Sequence, residues 1–280
     1  MNAVVALKAV HSLTTLLKIA GLARSTFFYH QARLSEPDKH AELKTAIRRI
    51  FDRHGGRYGH RRIHQRLRRE GWVLSKKTVL KLMNTLGLRC AIRRKRYVSF
   101  KGEAGKIAPN LLRRDFTTTG TNQKWVTDVT EFRVGEQKVY LSTVMDLFDR
   151  QIIGHAHGTS PNLALTNTSL RRALKTRHRG QKPIVHSDQG FQYQHVSWRR
   201  LLKGRAIQSM SRKGNCLDNA VMESFFGHLK DELYCNTTFL TVDTLTIAID
   251  DYIAWFNTER SHSTLKGLSP VEYRTQALAA

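Results

Sequence analysis

Apolar and polar positions follow two different rhythms along this chain. Up to about residue 90 the apolar residues recur at helical spacing. Leu13–Ala20 predicts a short amphipathic helix, Gly21-Leu22 a turn, and Arg24–Gln31 a second helix with Ser25 near its start. Two short helices about a glycine turn outline a helix-turn-helix-like segment over 1–35, although a plain helical hairpin has the same pattern. Glu36-Pro37-Asp38 breaks it as a linker. Lys39–Arg53 resumes with Leu43, Ile47, Ile50 and Phe51, and Gly55-Gly56 ends it. His60–Glu70 then sets Ile63 and Leu67 on one face, with Arg61, Arg62, Arg66, Arg68 and Arg69 around the rest. After Gly71, Ser75 can cap Lys76–Leu86, whose apolar side is Val79, Leu82, Met83 and Leu86, and Gly87 stops it. Lys76, Lys77 and Lys81 line its outer side. Residues 39–90 thus read as a second, strongly basic helix-turn-helix module.

From Cys90 to Thr121 the periodicity fades around Arg93-Arg94-Lys95-Arg96-Tyr97, Gly102, Gly105 and Pro109, giving a basic linker over 91–121. Strand-like runs begin after it. Lys124–Phe132, Lys138–Asp146 and Gln151–His157 predict three strands joined by short turns, an antiparallel meander. A helix over Leu163–Thr176, a short strand over Pro183–His186, a helix over Trp198–Leu202 and a strand over Ala206–Ser209 follow. Helices over Asp218–Leu233 and Val242–Asn257 complete the pattern. The order β-β-β-α-β-α-β-α-α over 122–280 predicts an α/β ribonuclease H-like core behind an all-α helix-turn-helix module.

Composition sharpens this division. The chain has 280 residues with 40% hydrophobic residues, enough for about two domains. No run of about 18 apolar residues occurs, so no membrane span is expected. Cys90, Cys216 and Cys235 are odd in number and show no C-x-x-C spacing, which argues against a disulfide framework or a zinc knuckle and points to a reducing cytoplasm. The net charge is +25. Residues 1–124 hold 28 basic and 7 acidic residues against 19 and 15 in the remainder, so the helical part carries most of the excess. Such an excess calls for a polyanion, and the arginine density over 57–89 favours DNA backbone over a merely solvated face.

The acids of the second part call for separate scrutiny. Asp128 lies inside the first strand, in Trp125-Val126-Thr127-Asp128-Val129-Thr130, where a carboxylate needs a partner or a metal. Asp188 follows the fourth strand in His186-Ser187-Asp188-Gln189-Gly190, and Glu223 stands among apolar neighbours in a late helix. Oxygen-only ligation suits Mg²⁺ or Mn²⁺ rather than zinc. Two such ions about 3.5–4 Å apart support in-line phosphoryl displacement. Lys230, seven residues after Glu223, is expected on the same helical face, within reach of a substrate phosphate. Asp146 and Asp149 flank a turn and read as structural.

These residues resemble a bacterial DDE-type transposase, the second-frame protein of the insertion-sequence 3 family and its insertion-sequence 150 subgroup. The matching strings are Arg57-Tyr58-Gly59-His60-Arg61-Arg62-Ile63, Lys124–Phe132, His186–Gly190 and the specific run Ser209–Ala220. Tyr252, Phe256, Asn257, Arg260 and Leu265–Tyr273 extend them, so the resemblance covers nearly the whole chain. It implies a retroviral-integrase-like core with Asp128, Asp188 and Glu223 as catalytic, metal-holding triad, two Mg²⁺ ions (Mn²⁺ substituting), and Lys230 as the basic position after the glutamate. It implies cleavage and joining at terminal inverted repeats, then integration. Expected partners are the element's ends and target DNA, further copies of the chain on that DNA, and an upstream-frame protein joined by ribosomal frameshifting. The expected location is the bacterial cytoplasm, at the nucleoid. The expected DNA contacts are Arg61, Arg62, Arg66, Lys76, Lys77, Lys81, Arg93, Arg94, Arg212 and Lys213, together with Lys230. The Asp188–Glu223 spacing is one residue shorter than the family's usual one. The shortening falls around Leu201–Gln208, where the turn Lys203-Gly204-Arg205 can absorb it. Two other readings stay open: a DNA-binding regulator without catalysis, and a ribonuclease H-like nuclease.

Overall fold

The computed structural model describes residues 2–35, 38–92, 107–211, 219–235 and 237–279. Its axis is strand β1 (Lys124–Val134), rich in Val, Thr and Trp. β1 pairs antiparallel with β2 (Gln137–Asp146), from Trp125 opposite Asp146 to Val134 opposite Gln137. The hairpin turns at Gly135, whose φ of 56° a side chain would oppose. β3 (Ile152–Gly158) extends the meander beyond β2. On its other side β1 runs parallel to β4 (Ile184–Ser187), and β4 parallel to β5 (Ile207–Met210). The sheet order is β3-β2-β1-β4-β5.

Parallel neighbours require crossovers. Helix α7 (Leu163–Leu174), capped by the Asn162 side chain, makes the first. Helices α8 (Phe191–Gln194) and α9 (Val196–Leu202) make the second. α9 ends in a turn at Lys203–Arg205, with Gly204 at a φ of 73°. Helix α10 (Ala220–Leu229) runs directly into a π-helical turn, Lys230–Tyr234. Helix α11 (Val242–Thr258) opens on a capping box of Thr241 and Thr244, and α12 (Pro270–Ala279) follows.

Strand alternation splits the core into two layers. Val126, Phe132 and Val139 pack with Met222, Phe225 and Leu229 of α10 and with Ile249, Tyr252 and Phe256 of α11. Trp125, Val144 and Val185 face the other way, onto Leu170 and Ala173 of α7 and Trp198 and Leu202 of α9. Gly154 lets β3 lie against α7: an added Cβ would stand 2.4 Å from the Ser169 carbonyl oxygen.

The helical part comprises α1 (Asn2–Leu7), α2 (Leu13–Ile19) and α3 (Arg24–Ser35), then α4 (Ala41–Arg53), α5 (His60–Arg69) and α6 (Lys76–Thr85). The first three share a small core of Val4, Leu16, Leu17 and Phe27. The last three enclose Ile47, Tyr58, Ile63, Leu67 and Val79, with the Ser75 hydroxyl capping α6 by accepting the Thr78 N–H.

This second helical unit is docked on the core through its arginines. Buried Glu232, in the π-helical turn, accepts from Arg260 at 2.6 and 2.9 Å, from Tyr252 Oη at 2.8 Å and from Arg62 at 3.1 Å. Arg66 donates to the Glu259 carbonyl at 2.5 Å, and Arg69 holds Glu272 with two bonds. Tyr58 Oη accepts the Ser261 N–H at 2.8 Å. Two sequence expectations change here. Arg62 and Arg66, read as DNA contacts, hold the module onto the core, because a buried glutamate and a helix-end carbonyl each need a donor. The basic linker also ends before residue 121: the Ala108 N–H, Leu111 N–H and Pro109 carbonyl all bond to β5, and Leu112 joins the core. Residues 93–106 of that stretch lie outside the described residues.

Asp146 and Asp149 are structural, as the sequence suggested. Both are buried and both accept from Arg274 of α12, which the sequence pattern had not identified as a helix.

Candidate active site

Asp128 and Asp188 come together through strand register. The β1–β4 ladder pairs Val126 with His186, so Asp128, two residues further along β1, lies beside Asp188, the first residue past β4. Alternation turns both toward the layer that contains α10. Asp128 accepts the Val129 N–H at 2.8 Å, and Asp188 accepts the Gly190 N–H at 2.9 Å. Space is tight at Gly190: an added Cβ would lie 3.0 Å from Asp188 Oδ1 and 2.7 Å from the end of the Gln192 side chain, which would have to move. Beneath the loop, His186 Nδ1 bonds Ser209 Oγ at 2.8 Å and ties β4 to β5.

α10 brings Glu223 to the same side of the sheet. Met222, Phe225, Phe226 and Leu229 bury its apolar face, leaving Glu223 half-buried at the flank. The Asn219 side chain, just before the helix, donates to the Thr127 carbonyl at 3.4 Å and anchors α10 beside Asp128.

The carboxylates repel one another at Asp128. Burial, then the Asp188 carboxylate, and less strongly Glu223, push the Asp128 carboxyl up to about 8. Burial likewise raises Asp188. The acids are neighbours without forming a closed ligand set: among the described residues no three His, Cys, Asp or Glu side chains are gathered closely enough to hold an ion. The donors still fit a hard divalent cation. They are all oxygens, and a bound cation would relieve the repulsion that raises Asp128 and would favour the charged form of both aspartates.

Lys230 opens the π-helical turn, so the two-turn count from Glu223 fails for every residue beyond it. Its ammonium lies 5.5 Å from the centre of the Phe132 ring, on the Asp128 side of β1. Burial pushes its pKa down, and its half-buried position rules out a fully solvated lysine.

Of the expected DNA contacts, Arg61, Lys76, Lys77 and Lys81 are exposed. Arg93, Arg94, Arg212 and Lys213 lie outside the described residues. Sequence reasoning missed Glu232 as the hub that joins α5, α11 and the end of α10. Glu232 stands in the charged run Lys230-Asp231-Glu232, so no local signal set it apart from a solvated acid.

An integrase core domain family matches residues 118–216, a second family of that description matches 223–278, and a helix-turn-helix-like domain family matches 38–96. The chain is 46% identical over 271 residues to the IS150 transposase InsK of Escherichia coli K12, covering 96% of each chain. The chain belongs to the IS150/IS3 family of transposases. A second member, InsF of IS3 from Escherichia coli K12, is 33% identical over 279 residues, 97% of each chain. This transposase-family chain therefore has a ribonuclease H-like integrase core behind a helix-turn-helix-like domain. Among solved structures it is similar to the magnesium complex of the HTLV-2 integrase catalytic core, with a TM-score of 0.45 and 15% identity. That match covers 56% of this chain and 99% of the other. Among the described residues no helix is long and apolar enough to cross a membrane.

Proposed function

We propose that the chain cuts and joins DNA at the terminal inverted repeats of an insertion sequence, with Asp128, Asp188 and Glu223 holding two Mg²⁺ or Mn²⁺ ions. The observation that carries this reading is the Asp128–Asp188 pair, one carboxylate on β1 and one just past the end of the adjacent parallel strand β4, with the Asp188 charge opposing that of Asp128. When bound, the ions supply charge for the attacking oxygen and for the leaving 3′-oxygen of an in-line displacement. The chain's own residues do the holding. The two aspartates offer oxygens from the sheet, and Glu223 offers a third carboxylate from α10. Lys230 donates to a phosphate oxygen of the bound strand. Arg61 and the α6 lysines hold the duplex backbone.

The polyanion is DNA, at the element's ends and at a target, and copies of the chain assemble on it. An upstream-frame protein is a further proposed partner, and the bacterial nucleoid the proposed location. The test is cleavage of a duplex carrying one terminal repeat, with Mg²⁺ and without it. One observation favours a second reading, a DNA-binding regulator: the three acids do not close into a ligand set. That reading calls for duplex binding without cleavage at any metal concentration.

A further inference from the structure

No acidic residue lies between Asp188 and Asp218, a stretch that holds six basic ones. Four of them, Arg199, Arg200, Lys203 and Arg205, are exposed on α9 and the turn after it. Arg49, Arg53, Arg62, Arg69 and Arg274 each have an acidic partner, whereas among the described residues these four cations form no ion pair. Arg199, Arg200 and Lys203 also line a shallow groove of about 530 Å³ between α9 and β5, with Val196, Leu202, Ala206 and Gln208. Val196 is 50% exposed, so the groove has an apolar wall under a cationic rim. That combination suits a sugar–phosphate backbone: deoxyribose against the wall, phosphates on the guanidinium and ammonium groups.

The groove's position separates it from α6. α9 packs in the layer of Trp125 and Val185, whereas the α4–α6 unit docks on α11 and the π-helical turn in the opposite layer. The groove is also joined to the acid site. Its wall residue Gln208 donates to the Tyr193 carbonyl at 2.7 Å, and Tyr193 packs edge-on against Trp198 at 4.9 Å. α8, which carries Tyr193, begins three residues after Asp188.

We infer that the α9–β5 groove is a second DNA-backbone site, which takes the phosphates of a duplex segment separate from the one held by α6. The inference rests on the transposase reading only in naming DNA as the polyanion. The test uses the full chain and a mixed-sequence 30-base-pair duplex (about 30 is long enough to span several phosphate contacts), without metal, across a salt series. Arg199→Glu/Arg200→Glu/Lys203→Glu should weaken binding by about tenfold or more. It should flatten the plot of log affinity against log salt by about 2 to 3, since each phosphate contact contributes about 0.9. The effect should add to that of Lys76→Glu/Lys77→Glu/Lys81→Glu, as independent sites do. Arg199→Gln/Arg200→Gln, which leaves the exposed surface polar, should give a smaller change of the same sign at an unaltered melting temperature. Unchanged affinity and slope in the folded triple variant would overturn the site. Because no metal is present, this outcome is independent of whether Asp128→Asn abolishes cleavage.

Discussion

Arg260 holds Glu232 by two bonds of 2.6 and 2.9 Å in a space with almost no solvent access to either group. Burial pushes the Glu232 carboxyl up, but the Arg260 hydrogen bonds and charge outweigh it and keep it at about 2. Glu232→Gln should destabilise the chain by about 3–5 kcal/mol, because it leaves Arg260 buried without its counter-charge. Urea denaturation gives the number. The folded pKa lies below the ordinary 4.5, so this stability is complete above that pH and is lost as pH falls toward about 2.

Arg62 reaches the same carboxylate from the helical module with a side chain 23% exposed. Arg62→Ala should cost a smaller amount, about 1–2 kcal/mol, and leave the salt slope of duplex binding unchanged. The exposed lysines of α6 should behave oppositely: Lys76→Ala/Lys77→Ala/Lys81→Ala should flatten the slope and spare stability. A flattened slope in Arg62→Ala would return that arginine to the DNA-contact set.

His54 gives a second pH dependence. It is 3% exposed, stacks on Tyr58 at 3.9 Å and accepts the Trp255 indole N–H at Nδ1, so it is held neutral. Burial, then the Arg66 charge, lowers its pKa from 6.5 to about 4. The sign for a lowered histidine is loss of stability on acidification, beginning below about 6.5 and continuing through about 4. The slope of unfolding free energy against pH in that window should shrink in His54→Phe. An equal slope in the variant would show that other groups titrate there.

The strands and most of the helices were legible because alternation and helical spacing are local. Ser75 caps the helix it was expected to cap, and Val79, Leu82 and Met83 of that helix are buried as their spacing indicated. What the sequence concealed depends on distant partners. Arg62 and Arg61 look alike in an arginine-rich helix, and only Glu232, 170 residues on, makes one of them structural. The π-helical turn at Lys230–Tyr234 has no local signature, yet it moves every residue after Lys230 off the expected helical face. α12 was missed although Ser269-Pro270 is a reasonable helix start, and with it Arg274, the reason Asp146 and Asp149 can be buried. At the site, Asp128 was legible as an acid in an apolar strand. Its closeness to Asp188 came only from the parallel register of β1 and β4.

The buried aspartate pair should also show itself in stability. Asp128→Asn removes a carboxylate that burial and Asp188 make costly to ionise. In metal-free buffer near neutral pH it should raise stability by roughly 1–3 kcal/mol. A lower stability than wild type would mean that the carboxylate has an unrecognised partner.

The most direct test is Mg²⁺-dependent cleavage of a terminal-repeat duplex by the wild-type chain and by Asp128→Asn, Asp188→Asn and Glu223→Gln, with duplex binding measured in parallel. Each substitution should lower the cleavage rate by at least about a thousandfold, because each removes charge that holds the ions, while duplex affinity stays within about threefold of wild type. Cleavage at a wild-type rate by any one of the three variants would contradict the assignment of the acids to the metal ions.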